Sequence, residues 1–413
     1  MITYSCNDKS GTLFQKFVTW VLVLSPILQT YGWGKYDFAF ILTSVAGLLS
    51  IFYRKYQFEL LPKFLLGYFL YWLLIHAISA SSLQEALPLG ILKVLLVYGA
   101  FFSVIPLSLF VKYYKIVVKV CILFFVVQII VNFVFNIYLL GVFSFLPFAQ
   151  DVDASEYFAE SAASERLSSF FSEPAIFAQY LIPYLCLELF DRKIINNQRL
   201  LSVLLLIAVF LLMQSGNAIL GLGSCLFFYF MFRMRGNWKR KAQTVMFGII
   251  IIAIGFYYMS TEIGEKMLSR KEQVSINSVE NLGYSSSGFD RIFKGYFIYA
   301  QYSTLCKIIG NDNPQYKKRS ALGSEVALLF SEEKQDYLYS NTFQMILLNT
   351  GLIGLFIMFL VFRGIWKTTN HCGKDMLLSF FAFSLIASSY FSEIMCMYML
   401  LPTLMGRYQT HYE

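Results

Sequence analysis

Apolar residues along this chain gather in long runs, with polar residues confined between them. Nearly unbroken apolar stretches fall at about 12–30, 38–53, 64–80, 88–111, 117–145, 173–190, 200–214, 217–232, 243–259, 340–362, 376–390 and 392–406. Roughly 20 such residues cross the hydrocarbon of a bilayer as a helix. A helix satisfies its own backbone there, which an isolated strand cannot do. The pattern therefore predicts an all-α integral membrane protein of about twelve transmembrane helices. The run 117–145 is longer than a span needs, so it is tilted or carries an extra turn. The last two runs are short and can equally be one broken element. No internal repeat accompanies the series.

Two polar segments interrupt it. Residues 148–172 are acidic, with Asp151, Asp153, Glu156, Glu160 and Glu165. Residues 260–339 contain no span at all, far beyond an ordinary connection, so this segment is expected to be functional and partly helical. Within it, Phe289 to Lys307 places Tyr and Phe at mixed helical spacing, as in a segment lying on a membrane surface. The expectation is one polytopic membrane domain over 1–413, with one small and one large external loop.

Composition supports the bilayer as solvent. Hydrophobic residues make up 57% of the chain, aromatic residues 18% and charged residues 14%, against roughly 25% charged in soluble domains. The net charge of +8 would suit nucleic acid if the basic residues clustered, but they are scattered through short connections. Nucleic acid is therefore not an expected partner; the lipid bilayer is. The basic residues orient the stack instead. Alternate connections hold Arg54, Lys55 and Lys63; Lys112, Lys115 and Lys119; Arg192, Lys193 and Arg199; Arg233, Arg235, Lys239, Arg240 and Lys241; and Arg363, Lys367 and Lys374. The intervening short loops hold almost none. Basic short loops stay cytoplasmic, which places both termini inside and both polar segments outside the cytoplasmic membrane. The first run, Leu13 to Gln29, leads into Tyr31-Gly32-Trp33-Gly34 without a small-residue cleavage site, so it is expected to remain as a span. Cys121, Cys186, Cys225 and Cys396 lie within apolar runs, and Cys306 has no second cysteine beside it in the large loop. They are expected to be inert membrane thiols, with no disulfide and no metal site.

The polar motifs carry the candidate chemistry. Glu165-Arg166-Leu167-Ser168-Ser169-Phe170-Phe171-Ser172-Glu173-Pro174 stands where the acidic loop enters the sixth run. Ser172 can cap that helix, Glu173 suits its positive end and Pro174 a first turn. Arg166 is not needed for capping; it can pair with Glu165 or Glu173, or hold a phosphate by its planar fork. Ser285-Ser286-Ser287-Gly288-Phe289-Asp290-Arg291, followed by Lys294, is a small-residue loop opening a helix, where backbone N–H groups can face an anion. Arg291 and Lys294 are three apart and share a face. Alone this is also an ordinary solvated helix start. With Arg166 in another loop on the same side, it suggests two cationic groups around a diphosphate. Ser215-Gly216-Asn217 is a very tight turn, and Gly221 and Gly223 permit close helix packing; Asn217 can line a site. His76, near the outer end of the third run, is the one histidine that can reach the outer face, as a satisfied interior residue or a site residue. With no second histidine or cysteine pair there, zinc is not expected on that side.

These residues resemble the Wzy-type O-antigen and capsular polysaccharide polymerases, within the wider O-antigen ligase/polymerase group. The architecture is similar, with a large external loop late in the chain and a GT-C-like arrangement of about twelve spans. The local carriers are Arg166 to Pro174, Ser215-Gly216-Asn217, Ser287-Gly288-Phe289-Asp290-Arg291, and Asn341-Thr342-Phe343-Gln344 leading to Gly351-Leu352-Ile353-Gly354. The resemblance implies that the growing undecaprenyl-diphosphate-linked glycan is transferred onto a new lipid-linked repeat unit at the outer face of the cytoplasmic membrane. It implies no cofactor, and a chain-length regulator as a possible partner. By motif position Arg166 and Arg291 bind diphosphate, with Lys294, Asn217, Asn341 and His76 as further substrate contacts. Glu173, then Asp290, are the expected general bases. A related ligase would carry His-Asn where this chain has Ser340-Asn341, which favours polymerase over ligase. A flippase would show short loops throughout and charges inside the bundle, and a transporter repeat symmetry or broken helices; this chain has a large loop, few mid-span charges and neither of the last two.

Overall fold

The computed structural model describes residues 11–33, 36–53, 55–82, 87–135, 167–191, 196–213, 215–233, 290–323, 340–387 and 390–408, with a few isolated positions between them. The described residues are all-α apart from a two-residue antiparallel ladder, Gly32–Trp33 with Tyr36–Asp37. In chain order the helices are α1 (Leu13–Leu28), α2 (Phe38–Phe52), α3 (Leu65–Ser79), α4 (Leu89–Val104), α5 (Leu107–Phe135), α6 (Pro174–Phe190), α7 (Asn196–Leu212) and α8 (Gly216–Arg233). The late segment gives α9 (Gly295–Ala300), α10 (Thr304–Ile309) and α11 (Pro314–Leu322). Helices α12 (Thr342–Thr368), α13 (His371–Ser384) and α14 (Glu393–Arg407) close the chain.

Local sequence explains where these begin. Thr12 and Gln15 form a capping box on α1, and Asn341 and Gln344 form another on α12. Asp37, Asn370 and Ser392 accept first-turn backbone N–H groups of α2, α13 and α14. At α6 the N-cap is Glu173 rather than Ser172, and no side chain caps it, although Pro174 does occupy the first turn.

Helices α5 and α12 are each long and apolar enough to cross a membrane. Several other apolar helices run 10–17 residues. Apolar side chains also line outward-facing stripes of several helices. Leu70, Leu74 and Ile78 stripe α3, Val120, Leu123, Val127 and Ile130 stripe α5, and Leu352, Phe356 and Phe359 stripe α12, all exposed at helical spacing. The opposite faces form one core running from Val18 to Met405.

Three boundaries differ from the sequence reading. The run 88–111 is split at Ile105–Pro106, and the next helix begins at Leu107 rather than near 117. Pro106 cannot continue α4, and its fixed φ starts α5. Lys112, Lys115 and Lys119 consequently lie on α5, not in a connection; Lys115 pairs with Glu188 at 3.2 Å and Asp191 at 3.6 Å at the end of α6. The run 376–390 is a helix only to Ser384. The third difference is a broken helix, which the sequence did not reveal: Gly351 takes φ 62° and ψ −165° inside α12. The expected span 243–259 and the loop 148–166 lie outside the described residues, as do 260–289 and 324–339 of the large loop.

The described part of the large loop does not simply lie on a surface. Ile298 and Tyr302 are buried with Leu348 of α12, while Phe293, Tyr296, Leu305 and Ile308 remain exposed. The segment α9–α11 is therefore docked on α12 with one apolar face outward.

Candidate functional site

Helix α3 supplies one wall. Trp72 and His76 are one turn apart and so share a face. The chain between α10 and α11 crosses that face and sets Asp312 on it. Asp312 Oδ2 accepts from Trp72 Nε1 at 3.0 Å and lies 2.9 Å from His76 Nδ1. Its other oxygen accepts from Lys317 Nζ at 3.0 Å. Asn313 Nδ2 donates to Ser79 O at 2.9 Å and to Ser81 Oγ at 2.6 Å, and Asn313 Oδ1 caps α11. Tyr71 Oη donates to Ile309 O at 2.8 Å. Ile309, Asp312 and Asn313 of the loop are thus tied to α3 and to the residues just after it.

The break in α12 makes this docking possible. A Cβ on Gly351 would stand 2.4 Å from both Gly310 N and Ile308 O, so the two backbones touch. Gly310 is itself at φ 90°. Asn311 N donates to Leu348 O at 3.0 Å, satisfying a carbonyl beside the break. Non-helical backbone is tolerated here because it is buried in protein, with its polar groups partnered. Below the break, Tyr68 Oη lies 3.2 Å from Thr350 Oγ1 and 3.1 Å from Tyr390 Oη, and Trp72 stacks on Phe391. Burial pushes the Tyr302 phenol up, so it stays neutral, and its buried oxygen has no hydrogen-bond partner.

The chemistry of the cluster turns on His76. In the tautomer that carries its proton on Nδ1, donated to Asp312, His76 presents a lone pair on Nε2. Nε2 is buried and has no hydrogen-bond partner among the described residues. Asp–His pairs oriented this way act as general bases, the carboxylate fixing tautomer and ring. Lys317 and Trp72 hold the carboxylate from the other sides.

The sequence-derived candidates fare unevenly. His76 is in the cluster. Lys294 is buried at the end of the turn Asp290–Lys294, beside α9; Gln344 of α12 donates to Ile292 O in that turn at 2.8 Å. Asn341 is spent on structure, capping α12 through Oδ1 and donating from Nδ2 to Leu385 O at 2.8 Å. Asn217 is buried in the first turn of α8. Glu173 is exposed at the start of α6, away from the seam of α3 and α12. Arg166 lies outside the described residues, as do the side chains of Asp290 and Arg291, so their convergence on a diphosphate is not among the contacts seen. Sequence reading missed Asp312, Lys317 and Trp72. Asn311-Asp312-Asn313-Pro314 is a helix-start signature inside the large loop, and Trp72-to-His76 spacing was visible; their meeting was not.

No family model, no curated protein and no solved structure matches the chain.

Proposed function

We propose that the protein is a polytopic membrane glycosyltransferase that extends lipid-diphosphate-linked glycans, with His76 as the base that activates the acceptor. The observation that carries this reading is the Asp312–His76 pair with its unpartnered Nε2. In the proposed step an acceptor hydroxyl gives its proton to Nε2 while its oxygen bonds to the anomeric carbon of the lipid-linked chain. The bond from that carbon to the diphosphate breaks, and Arg166 and Arg291 take up the charge left on the leaving group. The exposed apolar stripes support the bilayer setting, with about twelve spans and both termini cytoplasmic as the finer proposal. The sequence-stated bases, Glu173 and Asp290, are kept as alternatives to His76.

The broken α12 is a transporter feature. Here, however, the break is filled by Gly310 and Asn311 of the loop, which favours a docking role over a substrate passage.

The test uses membrane vesicles supplied with a lipid-linked repeat unit. His76→Gln keeps a polar side chain of similar reach but cannot take up the proton, and Trp72 and Lys317 still hold Asp312. Chain extension is expected to fall by about 10²–10⁴ with a normal membrane level of protein. A wild-type ladder from His76→Gln would remove the base from this reading. A deletion strain separates the classes: single repeat units on the surface indicate a polymerase, whereas full chains held on lipid carrier indicate a ligase.

A further inference from the structure

A second cluster lies far from the first. Helix α13 begins three residues after α12 ends, so its first turns stand at the opposite end of α12 from Asn341. There Asp375 of α13 faces Cys225 of α8 and Cys186 of α6. Cys186 Sγ and Cys225 Sγ are 3.5 Å apart, and Cys225 Sγ is 3.6 Å from Asp375 Oδ2. The three donor atoms lie within 4.8 Å of one another, and all three residues are fully buried. Asp375 Oδ1 has no hydrogen-bond partner among the described residues. A carboxyl group merely neutralised by a proton would leave that oxygen unsatisfied and give no reason for two thiols to face it. The thiols are also not bonded: their separation is well beyond the ~2.05 Å of a disulfide.

We propose that Cys186, Cys225 and Asp375 form a binding site for a thiophilic divalent cation of the zinc class, independent of the glycan-transfer reading. Metal–sulfur bonds of ~2.3 Å and metal–oxygen bonds of ~2.0 Å in a tetrahedron separate the two sulfurs by about 3.8 Å and a sulfur from the oxygen by about 3.5 Å. The observed 3.5 and 3.6 Å differ from these by a few tenths, and the third pair, Cys186 with Asp375, lies within 4.8 Å. Binding displaces the two thiol protons, since thiolate is the ligand. The fourth position falls to water. The neighbouring Lys115, Glu188 and Asp191 form a separate ion-pair group joining α5 to α6. A cation here would clamp α6, α8 and α13 together. The sequence expectation of inert thiols and no metal took no account of three helices meeting.

The test is cobalt titration of the full-length protein, purified in detergent with thiols reduced and metal removed by a chelator. The expected result is about one ion per chain with a thiolate-to-cobalt charge-transfer band, lost on adding zinc. Cys225→Ser should abolish the band. Asp375→Asn should keep sulfur ligation but weaken binding by about tenfold or more. Cys121→Ser should change nothing. Zinc should also slow alkylation of Cys186 and Cys225 in the unmodified protein, a readout that needs no variant to fold. No band and no protection in the wild-type protein would overturn the site, as would a band that persists in the Cys186→Ser/Cys225→Ser double variant.

Discussion

At φ 62° and ψ −165°, Gly351 occupies a region essentially closed to residues with a Cβ. Its partner Gly310, at φ 90°, touches it backbone to backbone. Gly351→Ala is therefore expected to lose about 1–3 kcal/mol from strain, with further loss as Gly310 is pushed away. Gly223, helical and with nothing within 4 Å of a Cβ, is the control: its change to Ala should be neutral or gain up to about 1 kcal/mol. Thermal unfolding in detergent, followed by fluorescence, checks both. If Gly351→Ala unfolds at the wild-type temperature, the described break is wrong. The diphosphate proposal is also a residue-scale matter. Lys cannot reproduce the planar fork of Arg, so Arg166→Lys and Arg291→Lys should each lower chain extension by about 10²–10³ at normal protein level. Wild-type chain distributions from both would sink the paired-arginine role. The motif Gly351-Leu352-Ile353-Gly354 was legible as a small-residue stretch; that its first glycine breaks the helix for a loop to enter was not, because the contact spans forty residues of intervening chain from Gly310.

Helix α5 shows how an element can be misplaced by its own lysines. Lys112, Lys115 and Lys119 suggest a polar connection, yet they recur at three- and four-residue spacing and continue one helical face. Lys115 is the productive member, bridging Glu188 and Asp191, whose side chains are 7% exposed. Removing the cation leaves two buried carboxylates without it, a loss of about 3 kcal/mol. Lys115→Met should lower the unfolding temperature clearly, and Lys119→Met much less. Equal, small effects would mean that the bridge carries no stability. The docked helices α9–α11 are the second element-level result. They depend on Ile298 and Tyr302 meeting Leu348, so Ile298→Ala should expose the loop to protease while the membrane helices stay protected.

For the whole molecule, the testable claim is its orientation in the membrane. Ser286→Cys should react with an impermeant thiol reagent from outside intact cells; reaction only after permeabilisation would invert the proposed topology. The apolar runs by themselves pointed to helices and to where most of the described ones fall, because a helix satisfies its own backbone locally. Caps act over three residues, yet the cap expected at Ser172 is not formed, and Thr12, Asn341 and Asn370 cap their helices without having been singled out as caps. His76 could be singled out as an unusual residue in an apolar run, but its carboxylate could not. Asp312 lies 236 positions away, and so does the choice that leaves Nε2 unpartnered. Cys186, Cys225 and Asp375 read one at a time as buried thiols and a stray acid; only the meeting of α6, α8 and α13 turns them into a set of donors. Local sequence governs what each segment becomes, whereas convergence of distant side chains depends on how the helices pack, and packing is decided by all of them at once.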